Sequence, residues 1–296
     1  MTTPLAPGVW GILATPFTDD LAFDPDSMAR QVELFEGLPA AGVVALGVFG
    51  EATSLDSTEQ GQVIDAVLAA TSSLPVVVGV SARSTAPAVE QSRLAAEHAG
   101  DQFAGVMVQV NSPRPDALIE HLTAIHDATG AGVVIQDYPL VSGVKISPDD
   151  LVRTVEACPF VVAIKAEAPP TSVAISRTAG RVDVPVFGGL GGVGLLDELA
   201  AGAAGAMTGF SRPEALLEAI TTRHTDGPAA AERAYSRWLP IANFEAQVGI
   251  GLAIRKEAFR RRGIFSSGAV RPPAPAMPAE LHPLLDAHIE AVSTAV

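Results

Sequence analysis

A chain of 296 residues, 48% hydrophobic and 18% charged, can bury a substantial core, which excludes a globally disordered protein. A formal charge of −14 offers no basic face to phosphate, so nucleic acid is not expected as a partner. The single cysteine, Cys158, excludes an intrachain disulfide or a cysteine-based metal cluster and fits a reducing compartment. No uninterrupted apolar run approaches the roughly 18 residues of a membrane span. The N-terminal stretch lacks the charged and apolar regions of a secretory signal. The expectation is a soluble, cytoplasmic protein.

In chain order, short apolar runs predict strands at residues 9–14, 43–48, 75–81, 105–110, 132–137, 160–165, 184–188 and 203–208. Helix-length segments alternate with them at 26–38, 57–70, 86–99, 115–128, 148–157, 195–200 and 213–222. Asp24-Pro25, Ser57-Thr-Glu-Gln and Ser147-Pro-Asp-Asp carry helix-start signals. Most strand candidates are continuously apolar, as expected when both faces are buried. Eight such units suit an α/β fold, a closed (β/α)8 TIM barrel, better than an open doubly wound sheet. The barrel is assigned to residues 1–225 and a C-terminal helical extension to 226–296. Within that extension, the Pro-rich piece starting at Arg271 reads as an extended connector before a last helix at 278–292. The basic run Arg260-Arg261-Arg262 reads as cations at a helix C-terminus.

Active sites of such barrels lie at the carboxyl ends of the strands. Lys165, one of only three lysines with Lys145 and Lys256, closes the apolar sixth strand. Burial favours the neutral, nucleophilic amine, although a strand-end lysine can also extend its head into solvent. The same face receives Gly47-Val-Phe-Gly-Glu51 from strand two and Gln136-Asp-Tyr-Pro139 from strand five. Strand seven contributes Gly188-Gly-Leu-Gly-Gly-Val-Gly194, and strand eight Thr208-Gly-Phe-Ser211. The seventh-strand loop matches a dinucleotide fingerprint, yet an anion or substrate loop and a plain tight turn are the better readings. His98, His121, His126, His224, His282 and His288 are placed on outer helices in surface roles. The scattered carboxylates suggest no metal site.

Together these motifs resemble the dihydrodipicolinate synthase / N-acetylneuraminate lyase superfamily of class I aldolases, over roughly residues 9–273. The resemblance implies that Lys165 forms an imine with a 2-oxo acid. It also implies that backbone amides around Val48 and Phe49, in a turn completed by Gly50 and Glu51, hold the substrate carboxylate. Gln136 stands where the family's catalytic tyrosine is usual, and Tyr138 is displaced by two residues. Val48 and Phe49 replace the usual hydroxyl residues, and Leu140-Val141-Ser142 lacks the arginine that grips a second carboxylate in the synthases. Gln136-Asp-Tyr-Pro139, Lys165-Ala-Glu167, Gly205-Ala-Met207-Thr-Gly209 and Trp238-Leu-Pro-Ile-Ala-Asn243 are most similar to the branch of L-2-keto-3-deoxyarabonate dehydratases.

That resemblance implies a Schiff-base lyase, preferentially a dehydratase of a 2-keto-3-deoxy sugar acid, needing no cofactor. Glu167, Asp137 and Tyr138 are the candidate acid/base groups, with Ser81 or Gln136 orienting a water. Glu167 reads equally as a counter-ion of Lys165. Gly189 and Met207 complete the candidate substrate contacts. The alternatives are an aldolase or hydratase-aldolase with a less polar aldehyde, and a non-catalytic 2-oxo-acid-binding protein. A homotetramer or homodimer is the assembly the resemblance implies.

Overall fold

A computed structural model describes residues 2–293. Eight strands form it: β1 (Gly8–Ile12), β2 (Gly42–Ala45), β3 (Val76–Val80), β4 (Phe103–Gln109), β5 (Val133–Asp137), β6 (Val161–Ala166), β7 (Val186–Phe187) and β8 (Gly205–Thr208). All eight predicted strands are present. Neighbouring strands pair in parallel in the order β7-β6-β5-β4-β3-β2-β1-β8. A parallel bridge between Gly188 and Ala206 joins the two ends, with Met207 N–H donating to the Gly188 carbonyl at 2.9 Å. The architecture is a (β/α)8 barrel with helices after the eighth unit.

Strand side chains alternate between two compartments, as a period of two requires. Val43, Val76, Val108, Ile135 and Ile164 face outward into the helix-covered core. Trp10, Val44, Val77, Val134, Phe187 and Met207 fill the barrel interior. Both sets are buried, so the strands read as near-continuous Val/Ile runs.

The helices are α1 (Pro25–Glu36), α2 (Ser57–Ala70), α3 (Thr85–Glu97), α4 (Pro115–Thr129), α5 (Pro139–Ser142), α6 (Pro148–Ala157), α7 (Thr171–Thr178), α8 (Leu195–Ala200) and α9 (Pro213–Asp226). After them come α10 (Pro228–Ser236), α11 (Leu239–Glu245), α12 (Gly251–Arg261) and α13 (His282–Ser293). Asp24 caps α1 through Ser27 N–H, and Ser147 caps α6 through Asp150 N–H. The α2 cap lies one residue earlier than its sequence signal: Asp56, not Ser57, forms the capping box with Glu59. The short helices α5, which begins at Pro139, and α7, which follows Pro170, carry too few residues for a helical period to be read from sequence. His121 corrects the surface assignment: it is buried, with Nδ1 3.0 Å from Thr85 Oγ1.

A second apolar core joins Val9, Ala206 and Leu216 to Tyr235, Trp238, Ile241 and Val292, clamping α10, α11 and α13 against the barrel. The arginines ending α12 are paired internally, Arg260 and Arg261 with Glu257 at 2.7 and 2.9 Å and Arg262 with Glu214 at 3.3 Å. Among the described residues no helix is long and apolar enough to cross a membrane.

Candidate active site

Lys165 and Gln136 are register partners at the carboxyl ends of β6 and β5. Two residues beyond Lys165, Glu167 returns to the same strand face. Its Oε2 lies 3.2 Å from Lys165 Nζ, and both side chains are buried. Gln136 Nε2 donates to the same oxygen at 2.7 Å, while Leu190 N–H donates to Oε1 at 3.3 Å. The amine therefore faces a carboxylate fixed by two further donors. Gly189 is needed at its position because any Cβ there would collide with the Glu167 carboxylate. That contact and the crossing of Gly191 described below give the Gly-rich loop a packing role. The helix it opens, α8, is only six residues long.

The strand-two turn wraps Val48–Gly50 into a single helical turn. Gly50 N–H returns to the Gly47 carbonyl at 2.8 Å and Glu51 N–H to the Val48 carbonyl at 3.3 Å. The Val48 and Phe49 amides are thus the orphan donors at the start of the turn. A cavity of about 100 Å³ beside it is lined by Gly47, Val48, Ser81, Met107, Gln109 and Gln136. Ser81 Oγ accepts from Gln91 Nε2 at 3.1 Å. Gln136 connects the cavity wall to the Lys165–Glu167 pair. Gln109, not singled out from sequence, is the polar residue that closes the apolar β4 run.

Several side chains differ from their expected placement. Glu51 turns its carboxylate away from the cavity, onto Lys256 Nζ and, at 3.1 Å, Arg271 N–H. It anchors the turn to the C-terminal segment. Met207 lies fully buried in the barrel interior with Trp10 and Phe187, a packing position rather than a lining one. Asp137, one residue after Gln136, points to the opposite strand face. It lines a separate groove of about 390 Å³ with Pro139, Lys145, Ala168 and Pro170. Strand parity removes it from Lys165.

Burial pushes the Asp137 carboxyl up to about 6, and the Glu167 charge adds to the rise. Between about pH 4 and 6 the folded chain holds a proton that the unfolded chain has released, so stability falls as pH rises through that window. The full penalty, up to about 3 kcal/mol, applies above it. Asp137→Asn is therefore expected to raise the melting temperature at pH 8 and to give no gain at pH 4. An equal gain at both pH values in paired thermal melts would refute the electrostatic origin.

Tyr138 is half-buried within electrostatic reach of Glu167 and Arg255. Burial raises its phenol, Glu167 adds to this, and Arg255 opposes it. Arg255, absent from the sequence-derived candidates, projects from α12 over the Phe49 ring, 5.2 Å from its centroid. Its Nη2 crosses Gly191, where any Cβ would collide with it and where φ is 74°. Gly191 N–H is held by Thr208 Oγ1 at 2.7 Å. Behind Arg255, Nε lies 3.5 Å from Oε2 of the fully buried Glu245. Glu245 also accepts from Ser211 N–H at 3.1 Å and from Ser211 Oγ. Burial lowers the guanidinium and raises the carboxyl of this pair, each charge opposing the other's shift. Nothing in Leu252-Ala-Ile-Arg-Lys-Glu-Ala-Phe259 except its helical pattern pointed there. Among the described residues no three metal-binding side chains gather.

Fold and site define a (β/α)8 barrel whose carboxyl face holds a buried lysine–carboxylate pair. The chain belongs to the dihydrodipicolinate synthetase family, whose model matches residues 6–292. The 4-hydroxy-tetrahydrodipicolinate synthase of Kineococcus radiotolerans is 31% identical over 284 residues, covering 94% of this chain and 91% of the relative. Other curated synthases match over about half of their length. The crystal structure of dihydrodipicolinate synthase from Rhodopseudomonas palustris superimposes with a TM-score of 0.89 at 29% identity, covering 98% of each chain. YagE, a prophage protein of E. coli K12 solved in complex with pyruvate, shares the fold, with a TM-score of 0.86 at 18% identity over 97% of this chain and 98% of that one.

Proposed function

We propose that the chain is a lyase in which Lys165 forms a Schiff base with the keto carbon of a 2-oxo acid. Its preferred reaction is loss of water from a 2-keto-3-deoxy sugar acid. The observation that carries this reading is the buried Lys165–Glu167 contact of 3.2 Å, with Gln136 bound to the same carboxylate oxygen. The orphan amides of Val48 and Phe49 suit the substrate's C1 carboxylate. Pyruvate in the structural relative YagE supports a pyruvate-like core for the ligand.

In the proposed sequence, the amine adds to C2 and one water leaves as the imine forms. The protonated imine draws electrons from the C3–H bond, and Glu167 takes that proton. The C3 electron pair then expels the C4 hydroxyl, which leaves as water carrying a proton from Glu167. Hydrolysis of the imine consumes one water and restores the amine, so the net change is loss of one water. Gln136 keeps the carboxylate aligned at a position where a tyrosine would itself transfer protons.

An aldolase with an apolar aldehyde is less well supported, because the Phe49 ring face is taken by Arg255. Incubation with pyruvate and borohydride, followed by peptide mapping, tests the imine. A stable adduct on Lys165 is expected. Its absence from folded protein would overturn the proposal and leave the non-catalytic alternative. Products then separate the two reactions: dehydration preserves the carbon count, whereas retro-aldol cleavage releases pyruvate.

A further inference from the structure

Arg255 is a desolvated cation with unused hydrogen-bonding capacity. Its side chain is 14% exposed. Its Nε, 3.5 Å from the Glu245 carboxylate, has no hydrogen-bond partner. A separation of that length is an ion pair without a good hydrogen bond. Glu245 spends its oxygens on Ser211, and Glu167 is engaged by Lys165, Gln136 and Leu190. Of the neighbouring arginines, Arg262 donates to the Ser211 carbonyl and pairs with Glu214 at 3.3 Å, while Arg212, whose Nε also lacks a hydrogen-bond partner, lies 3.9 Å from the same carboxylate. A guanidinium in this state gains from an incoming acceptor, because leaving buried donors unmade is the costly alternative.

Its position limits what that acceptor can be. The Phe49 ring covers one face and Gly191 lies against Nη2, which fixes the planar fork between the strand-two turn and the loop after β7. Phe49 thus serves both sides, its amide belonging to the strand-two turn and its ring supporting the arginine. The planar fork of one guanidinium matches a singly charged planar anion held by two parallel bonds.

We infer that Arg255 binds a second, distal carboxylate of the substrate, so that the site takes a dicarboxylic 2-oxo acid. This rests on the Schiff-base reading and narrows it: the 2-keto-3-deoxy sugar acid would carry a carboxylate at each end. One carboxylate lies in the Val48–Phe49 turn, the keto carbon meets Lys165, and the far carboxylate reaches α12. The synthases' second carboxylate clamp, missing after strand five in Leu140-Val141-Ser142, is on this reading supplied from another element of the fold.

The test compares 2-oxoglutarate and 2-oxoadipate with 2-oxohexanoate, a monocarboxylate of similar reach whose far end is uncharged, in wild type, R255Q and R255K. Half-saturating concentrations for borohydride-trapped adduct at Lys165 are measured alongside dissociation constants from calorimetry, which need no imine. Wild type is expected to prefer at least one dicarboxylate by about tenfold or more, the scale of a charge-assisted bidentate contact. That ratio is expected to collapse toward one in R255Q and to survive in part in R255K, whose point charge lacks the fork. No preference in wild type, or a preference that R255Q retains, overturns the inference. If R255Q fails to melt cooperatively, R255K decides, and an unchanged ratio there overturns it too. Absence of any adduct, pyruvate included, would fell the Schiff-base reading alone. The calorimetric ratios would then still decide for or against Arg255.

Discussion

Replacing Lys165 with arginine or methionine is expected to abolish the pyruvate adduct and to cut turnover roughly 10³-fold or more, as loss of a covalent nucleophile does. The two variants separate chemistry from folding. Arginine keeps a cation beside Glu167 but cannot form the imine, so K165R should melt near wild type. Methionine leaves Glu167 buried without its charge partner, which is costly. The Gln136 amide and Leu190 N–H still donate to that carboxylate, so K165M should fold with a lowered melting temperature. Trapping and intact mass on both proteins check this. An adduct formed at another residue of K165R, with turnover retained, would refute the assignment.

The second large effect is structural. Glu51→Leu is expected to destabilise the chain by about 3–5 kcal/mol, because it strands the fully buried Lys256 ammonium. Lys256 lies 4.2 Å from the Phe17 ring centroid and also donates to the Ala269 carbonyl at 2.9 Å. Burial pulls its amine down to about 8 while Glu51 pulls it back up. The pair also holds backbone strain, for Leu46 and Glu51, which bracket the turn, sit at φ of 55° and 53°, where few side chains rest comfortably. A melting-temperature drop on the order of 10 °C should follow. Pyruvate half-saturation should also rise in the still-folded protein, because the Val48 and Phe49 amides lose their fixed placement. Pairing the substitution with Lys256→Met should recover much of the stability, since apolar replacement of a whole buried pair is often close to neutral. Recovery should be incomplete because Arg271 N–H loses its acceptor as well. Equal melting temperatures for E51L and the double variant would show that the pair is not coupled.

The barrel was legible because eight apolar runs, each buried on two faces, alternate with capped helices. The Lys165–Glu167 relation was legible for a related reason, since a period of two places residues i and i+2 together. The same rule separates Asp137 from Gln136, but the end of β5 abuts a proline turn, and sequence does not say where parity stops. Glu51 stands beside the expected carboxylate cradle, so its position alone groups it with the substrate-binding turn. Its partner is 205 residues away, and no local pattern encodes that. Arg255 was hidden for the same reason: an arginine on an amphipathic helix reads as surface until tertiary packing aims it at a strand-end loop. His121 and Met207 failed more simply, because polarity and motif position gave no depth.

The anchoring of the strand-two turn by Lys256 has a temporal consequence. During synthesis, Gly47 to Glu51 emerges some two hundred residues before the amine that holds it. A nascent chain that has completed all eight strands still carries an unpaired glutamate, a strained turn and a rim without its arginine. The staves of the barrel can assemble early, but a competent pocket waits for α12. Partly made chains would therefore be shaped like the finished protein without being able to hold its ligand.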